Sequence, residues 1–212
     1  MEIRTLEPKR VREAAKVLAE AFTDEPLVTQ LLPLGTLHRQ RKIADYFVWN
    51  MRRTGLRTVD VALEDDRIVG VALWRAPGHV SRWLPVLPAK TGVLLRGVGR
   101  RGLRVLGAHD AACADKHPSE PYWHLIGVGT AQAHARGARP ATVPDIEAAL
   151  VSHRLREIDD AGSLASLEAR TPQHVSQYEA LGFSHQCELA SPAVSTVVMW
   201  RSPRASRSKI AA

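Results

Sequence analysis

The sequence predicts a single α/β domain built on a mixed central sheet, and three observations support this class. Short apolar runs rich in branched and aromatic residues, typical of strands, alternate with longer segments whose apolar residues recur at helical spacing. No internal repeat interrupts this order. The 212 residues fit one domain, and a hydrophobic content of 45% suffices for a core. Alternating strands and helices indicate packed α/β layers.

The N-terminal half is expected to hold three strands and two well-defined helices. A first helix is predicted because Val11, Ala14, Leu18 and Phe22 recur at helical spacing. Pro26 breaks it, since proline disfavours helical geometry at the preceding residue. The predicted strands are residues 3–6, 58–63 and 68–74, with a hairpin turn at EDDR, and the predicted helices are residues 8–22, 38–53 and, loosely, 81–106.

The C-terminal half repeats the alternation. A polar stretch, HDAACADKHPSEP, is interpreted as a connection that leads into the strand YWHLIGVG. A turn-rich loop, AQAHARGARP, then opens a helix in which Pro144 fits the first turn. The predicted later elements are a helix over 143–155, a strand over 164–169, a helix from TPQH to Ala180 and a last strand over 195–200.

The net charge of +7 favours anionic partners. Part of the charge lies in RSPRASRSKIAA, which predicts a disordered basic tail over 201–212 after a domain over 1–200. A second group of arginines forms either the solvent-exposed face of a helix or a surface that contacts nucleic-acid phosphates. No aromatic residues are interleaved with it, so stacking on single strands is not supported. The group consists of Arg96, Arg100, Arg101 and Arg104.

Cysteine usage and the absence of sorting features favour a cytoplasmic protein. Cys113 and Cys187 have neither metal-ligand spacing nor a disulfide framework, so we expect reduced thiols and no metal. The N-terminus is charged from its second residue, unlike a signal peptide. No apolar run approaches the roughly 20 residues of a membrane span, so no membrane partner is expected.

Three segments resemble the Gcn5-related N-acetyltransferase (GNAT) superfamily, and within it the branch of puromycin N-acetyltransferase. They are EPYWHLIGVG (120–129), SLEARTPQHVSQYEALGF (166–183) and GVALWRAPG (70–78), and AFTDEP is similar to the opening of the acceptor side in this family. The most specific part is Tyr-Glu-x-Leu-Gly-Phe. The resemblance implies a mixed, mostly antiparallel sheet flanked by helices. It also implies transfer of an acyl group from acyl-CoA, acetyl-CoA by default, to a small-molecule amine.

Such a transfer needs a proton acceptor for the attacking amine and a proton donor for the leaving thiolate. By resemblance, Tyr178 is the donor; otherwise it is a packed aromatic residue. Glu168 lies in an apolar strand, and a carboxylate buried without a partner is costly. We therefore expect it to face the cleft with a raised pKa, as a base or amine anchor. The alternative is a salt bridge with an arginine such as Arg170.

The resemblance also implies a donor site and an acceptor site. The family holds the cofactor diphosphate with a loop of pattern Gln/Arg-x-x-Gly-x-Gly/Ala that opens a helix. Neither register of the loop over 133–140 satisfies this pattern, because Arg139 or Pro140 falls on a small position. Either arginines replace the lost amide contacts, or the donor is not acetyl-CoA in its usual pose. At position 174 a histidine replaces the asparagine common in the branch. The predicted donor-side residues are Gly127, Val128, Gly129, His134, Arg136, Gly137, Ala138, Arg139 and His174. The predicted acceptor-side residues are Asp24, Glu25, Trp74, Trp123 and His124.

Two further functions stay open. The altered loop, the basic charge and the arginine group would also suit a GNAT-fold enzyme that takes its acyl group from aminoacyl-tRNA, in which case tRNA is a partner. A degenerate domain that binds a ligand without turnover is the third reading. The sequence leaves the acceptor amine open, and it is compatible with a monomer or a homodimer.

Overall fold

In the computed structural model, seven strands form one mixed sheet with helices on both faces. The structure describes residues 1–78, 88–114, 116, 118–131, 142–190 and 195–204. The strands are β1 (Glu2–Thr5), β2 (Val59–Glu64), β3 (Arg67–Arg75), β4 (Tyr122–Thr130), β5 (Leu164–Ala169), β6 (Ser184–Ala190) and β7 (Ser195–Arg201). The helices are α1 (Val11–Ala21), α2 (Pro26–Leu31), α3 (Arg39–Thr54), α4 (Pro88–Ala114), α5 (Thr142–Asp160) and α6 (Pro172–Ala180).

The strand order is β1-β2-β3-β4-β5-β7-β6, and every neighbouring pair is antiparallel except β4 with β5. This confirms the expected mixed, mostly antiparallel sheet flanked by helices. The middle strands β2 and β3 are apolar almost throughout because both of their faces are covered. On one face they pack under α1, α2 and α3, and on the other under α5.

A bulge in β4 determines which of its side chains face which layer. Trp74 of β3 pairs with Leu125 and Leu73 pairs with Gly127, so Ile126 is an extra residue without a partner on β3. The bulge resets the alternation of side chains. His124 before it and Gly127 after it therefore both point to the sheet face that carries α1 and α4. We call this the α4 face, and the opposite one the α5 face.

The sequence predicted most elements to within a few residues, with three corrections. Helix α4 continues to Ala114, so the polar stretch that was predicted to be a connection from His109 onward is partly helical. The short helix α2 and the strand β6 were not predicted. The loop over 132–141 lies outside the described residues. Among the described residues, no helix is long and apolar enough to span a membrane.

The C-terminal boundary of the domain also differs from the prediction. Arg201, expected to begin a disordered tail, is the last residue of β7 and is 4% exposed. Its guanidinium donates to both carboxylate oxygens of Asp159, at 2.6 and 2.8 Å, and to the carbonyl of Leu181. The backbone N–H of Arg204 donates to Asp159 as well. The folded domain therefore extends to at least Arg204, and the rest of the predicted tail lies outside the described residues.

Candidate functional site

The sheet opens where β4 and β5 part. These strands pair from Tyr122 with Leu164 to Leu125 with Leu167, and the register ends there. Residues 127–130 of β4 pair with β3, and Glu168 and Ala169 of β5 pair with β7. Among the described strands, none pairs with the other edge of β4 beyond Leu125. That edge offers backbone N–H and C=O groups to a ligand.

Glu168 lies beside this opening, on the α4 face, and two side chains of α4 contact it. The Nε2 atom of His109 lies 2.9 Å from Oε2 of Glu168. The thiol of Cys113 donates to Oε1 of Glu168 at 3.3 Å, and its sulfur lies 3.6 Å from the same Nε2 of His109. His109 and Cys113 are one helical turn apart, so both side chains leave the same face of α4. The three groups form a compact buried cluster that closes one side of the opening.

The charges around Glu168 correct the predicted direction of its pKa. Burial alone would raise the pKa, but the hydrogen bond from His109 and the charges of His124 and Arg170 outweigh it. The pKa of Glu168 is therefore held well below its usual value, and its carboxylate is ionised. Because an ionised carboxylate only accepts hydrogen bonds, Nε2 of His109 carries the hydrogen. Burial, followed by the charge of Glu168, raises the pKa of the Cys113 thiol, which is therefore protonated in this cluster.

Arg170 ties the cluster to the N-terminal half. Its Nη2 lies 3.5 Å from Oε2 of Glu168, and its Nε lies 3.0 Å from Oε1 of Glu25. The other oxygen of Glu25 accepts the N–H of Val28 at 2.8 Å and so caps α2. Glu25 is thus linked to the Glu168 cluster through Arg170, whereas the neighbouring Asp24 is exposed, and the acceptor-side roles of both residues stay predictions. The ion pair of Glu168 with Arg170, weighed as the alternative role, is also present.

Tyr178 belongs to α6, which packs on the opposite, α5 face of the sheet. Its ring makes an edge contact with Phe183, with the ring centres 6.0 Å apart. Burial, and next the charge of Glu147 on α5, raise the pKa of the Tyr178 hydroxyl above its usual value, with Arg170 opposing them. The hydroxyl is therefore protonated at physiological pH. Burial also raises the pKa of Glu147, to about 7.

His174 lies one turn before Tyr178 on α6, and their ring centres are 6.3 Å apart. Partial burial, followed by the charge of Arg170, lowers its pKa, so the imidazole is neutral at physiological pH. Its backbone N–H donates to the hydroxyl of Thr171, which caps α6. Helix α6 therefore carries both residues on the sheet face opposite Glu168.

The donor-side glycines of β4 lie on the parted edge. A Cβ atom built on Gly127 would meet Cζ of Phe22 at 2.8 Å, and one built on Gly129 would meet Cβ of Ala21 at 2.5 Å. Both glycines thus let α1 lie directly on β4. Val128, between them, points to the α5 face and joins the core there.

The two tryptophans and the histidine that were predicted to line the acceptor site lie on different faces of the sheet. Trp74 is fully buried in the core of the α5 face, so its prediction as a cleft residue is wrong. Trp123 packs in the same core and stacks on Arg154, 5.5 Å from its ring centre. It therefore lies on the face away from Glu168, which corrects its prediction too. His124 lies on the α4 face near Glu168 and is 8% exposed.

Several predicted residues are placed away from the cluster or not at all. Arg100, Arg101 and Arg104 are exposed on α4. Arg96 falls in the same helix, but its side chain is outside the described part of the chain. The loop residues His134, Arg136, Gly137, Ala138 and Arg139 lie outside the described residues, so their donor contacts stay predictions.

Sequence reasoning missed His109 and Cys113. The usable sign was their spacing of four residues, which places two side chains with ligand and acid–base chemistry on one face of a helix. The stretch was interpreted as a connection, so this spacing was not considered. Within the described residues, these two and Glu168 are the group whose ligand atoms all lie within 4.8 Å of one another.

No family model matches the sequence. Solved structures share its fold over nearly the whole chain. One described as histone acetyltransferase HPA2 and related acetyltransferase, from Corynebacterium glutamicum, is 23% identical, with 97% of both chains covered and a TM-score of 0.72. Arylalkylamine N-acetyltransferase 2 from Aedes aegypti is 14% identical over 96% of this chain and 99% of that one, with a TM-score of 0.63. A polyamine N-acetyltransferase from Drosophila melanogaster is 17% identical over 95% and 99%, with a TM-score of 0.62. At these identities the likeness shows a shared fold, that of the GNAT acetyltransferases.

Proposed function

We propose that this chain is an N-acyltransferase of the GNAT superfamily that transfers an acyl group from acyl-CoA, acetyl-CoA by default, to an amine of a small molecule. The arrangement of Glu168 and Tyr178 on opposite faces of one opening carries this proposal. An amine held on one face and a thioester along the edge of β4 would meet there. The solved acetyltransferases with this fold support the reaction class, and membership in the puromycin-like branch stays a prediction.

The acceptor side suits a cationic amine. Glu168 is ionised and buried, and a buried carboxylate attracts an ammonium group far more strongly than an exposed one. Its low pKa makes it a poor proton acceptor, so we assign it to anchoring rather than to base catalysis.

The donor side suits a developing thiolate. Tyr178 keeps its proton at physiological pH because burial raises its pKa. A neutral phenol can donate a hydrogen bond to sulfur as negative charge appears on it, and such preorganised donors act mainly in the transition state. Backbone amides along residues 126–130 would hold the acyl and pantetheine portion. The loop over 133–140 would hold the diphosphate.

The test is a transfer assay with radiolabelled acetyl-CoA and a panel of primary amines, including diamines and aryl-alkylamines. Tyr178→Phe should lower kcat by about 10²–10⁴-fold and leave the Kd for coenzyme A nearly unchanged, because the hydroxyl acts on the leaving group. Glu179→Gln, an exposed change on the same helix, is the matched control. Unchanged kcat in Tyr178→Phe would remove this residue from the reaction. Glu168→Gln should instead raise KM for the amine.

A second donor, aminoacyl-tRNA, is favoured by the three exposed arginines on α4, Arg100, Arg101 and Arg104. Calorimetry with acetyl-CoA, coenzyme A and bulk tRNA at two salt concentrations separates the two donors. Micromolar binding of coenzyme A without tRNA binding would exclude the second. Steeply salt-dependent tRNA binding without heat from coenzyme A would exclude the first.

A further inference from the structure

The cluster of His109, Cys113 and Glu168 combines three kinds of metal-ligand atom in one place. An imidazole nitrogen, a sulfur and a carboxylate oxygen all lie within 4.8 Å of one another. Two come from adjacent turns of α4 and the third from β5, so the site is built on rigid elements rather than on a loop. All three side chains are buried, with His109 at 6% and Glu168 at 8% exposure.

The spacing of these atoms fits a tetrahedral ion. Zinc binds sulfur at about 2.3 Å, imidazole nitrogen at about 2.0–2.1 Å and carboxylate oxygen at about 2.0–2.2 Å, so ligand atoms around one ion lie roughly 3.3–3.6 Å apart. Here the sulfur-to-nitrogen distance is 3.6 Å, Sγ of Cys113 lies 3.3 Å from Oε1 of Glu168, and Nε2 of His109 lies 2.9 Å from the other oxygen, Oε2. To bind one ion, the carboxylate of Glu168 must therefore either rotate to present a single oxygen or bind the ion through both of its oxygens.

We propose that His109, Cys113 and Glu168 form a binding site for one Zn²⁺ ion, with a fourth position left to water or to a ligand in the opening. Thiolate and imidazole ligands select zinc over magnesium or calcium, which prefer oxygen. Binding requires both ligand atoms on α4 to lose a hydrogen. The proton on Sγ of Cys113 passes to solvent, and the hydrogen on Nε2 of His109 is exchanged for one on Nδ1, so that the ring binds the ion as a neutral imidazole. The thiolate and the carboxylate then neutralise the two charges of the ion.

The surroundings of the cluster are compatible with this occupancy. Arg170 lies 3.5 Å from Oε2 of Glu168, and it and His124 are cations that oppose the ion. Arg170 also pairs with Glu25 at 3.0 Å, so it keeps a counter-charge when Glu168 turns to the metal. This outer contact holds Arg170 in place and helps to orient the carboxylate.

Zinc binding does not depend on the proposed acyl transfer, but its effect on catalysis does. The ion and the ammonium group of an acceptor would need the same oxygens of Glu168. If Glu168 anchors the amine, as proposed above, Zn²⁺ should therefore inhibit competitively with the acceptor and not with acyl-CoA.

The test is a zinc titration of the chelator-stripped full chain against a metallochromic competitor, repeated with Co²⁺ as a spectroscopic probe. We expect one ion per chain and a sulfur-to-cobalt charge-transfer band. Cys113→Ser should abolish the band, and Cys113→Ser or His109→Gln should each weaken zinc binding at least ~100-fold, since loss of an outer-shell partner alone costs about 10–100-fold. Cys187→Ser, which removes the other free thiol, is the matched control and should change neither.

A second measurement avoids reliance on variants that could fail to fold. In the wild-type chain, Zn²⁺ should slow alkylation of Cys113 and leave that of Cys187 unchanged, as followed by peptide mass spectrometry. The proposal is overturned if no ion binds at one per chain, if Cys113→Ser keeps its zinc affinity, or if Zn²⁺ does not protect Cys113. Binding without inhibition of an active enzyme would refute only the shared use of Glu168. Absence of any acyl transfer would refute the proposed function and leave the zinc site standing.

Discussion

Gly129 of β4 lies directly under Ala21, the last residue of α1. This close contact allows a quantitative prediction. A Cβ atom added to Gly129 would lie 2.5 Å from Cβ of Ala21, against 3.5 and 3.7 Å from its next neighbours on Phe22 and Leu18. Neither of the two Cβ atoms can rotate away, so Gly129→Ala must move helix or strand backbone.

The magnitude follows from that distance. Carbon atoms in contact prefer about 3.5–4.0 Å, so α1 and β4 must separate locally by roughly 1 Å. Overpacking of this kind costs about 1–3 kcal/mol of unfolding free energy. Gly129 is not among the residues with positive φ, so the backbone conformation itself adds no penalty for alanine. We therefore expect Gly129→Ala to be destabilised by about 1–3 kcal/mol through the contact with Ala21 alone.

Urea unfolding followed by circular dichroism measures this cost, and a double-mutant cycle assigns it. Ala21→Gly removes the opposing Cβ and by itself should cost no more than about 1 kcal/mol, as glycine in a helix does. In the double variant the new Cβ meets only atoms at ordinary distances, so most of the loss should be recovered. We expect a favourable coupling of about 1–2 kcal/mol between the two changes.

Two results would refute the reasoning. If Gly129→Ala is as stable as the wild type, α1 does not lie on β4 as closely as described. If the variant is destabilised but Ala21→Gly recovers nothing, the strain has another source. Because Gly129 lies on the parted edge, the displaced strand should also weaken coenzyme A binding, and Ala21→Gly should restore both properties together.

Two further predictions concern buried ion pairs that support the sheet. Asp60→Ala should cost about 3–5 kcal/mol in urea unfolding, because it removes the buried carboxylate that Arg154 contacts at 2.6 and 2.9 Å and leaves this buried guanidinium only the largely exposed Glu157 as a charged partner. Recovery in Asp60→Ala/Arg154→Leu would identify the poorly compensated charge as the cause. Hydrogen bonds from Arg201 hold the pKa of Asp159 below its ordinary value, with burial opposing them. The stability that this pair contributes is therefore fully present above the unfolded-state pKa of about 3.9 and is lost as pH falls through the folded-state pKa. The difference in unfolding free energy between wild type and Asp159→Asn should accordingly shrink below about pH 4, and a constant difference down to pH 2 would contradict this origin.

The fold was largely readable from the sequence because most of its elements are buried. The runs that became β2, β3, β4 and β5 are apolar and branched, so their pattern alone predicts strands. Strand β6 lies at the edge of the sheet, and SHQCELA has only Cys187 and Leu189 as alternating apolar residues. An edge strand with a solvent-exposed face has few apolar residues in its alternation, so β6 was not predicted.

The site was less readable, because its polar groups meet only in the folded chain. Glu168 was recognised as a charge in an apolar strand, but the direction of its pKa depends on His109, which is 59 positions away in the sequence. The end of α4 that carries His109 was predicted to be a connection because the stretch HDAACADKHPSEP is mostly polar. Trp123 shows the converse difficulty. The bulge at Ile126 reverses the alternation of β4, and nothing in the sequence marks it.

The parting of β4 from β5 also has a mechanical consequence. Among the described residues, the sheet half of β1–β4 is hydrogen-bonded to the half of β5–β7 through four residue pairs, from Tyr122 with Leu164 to Leu125 with Leu167. Helix α5 joins both halves by side-chain packing and by two ion pairs, from Arg154 to Asp60 of β2 and from Asp159 to Arg201 of β7. The two halves are therefore held together across this seam mainly by side chains, whereas within each half the strands are joined by backbone hydrogen bonds. A ligand bound along the free edge of β4 would stabilise this part of the sheet. Backbone amides on both sides of the seam should then exchange with solvent more slowly when the ligand is bound.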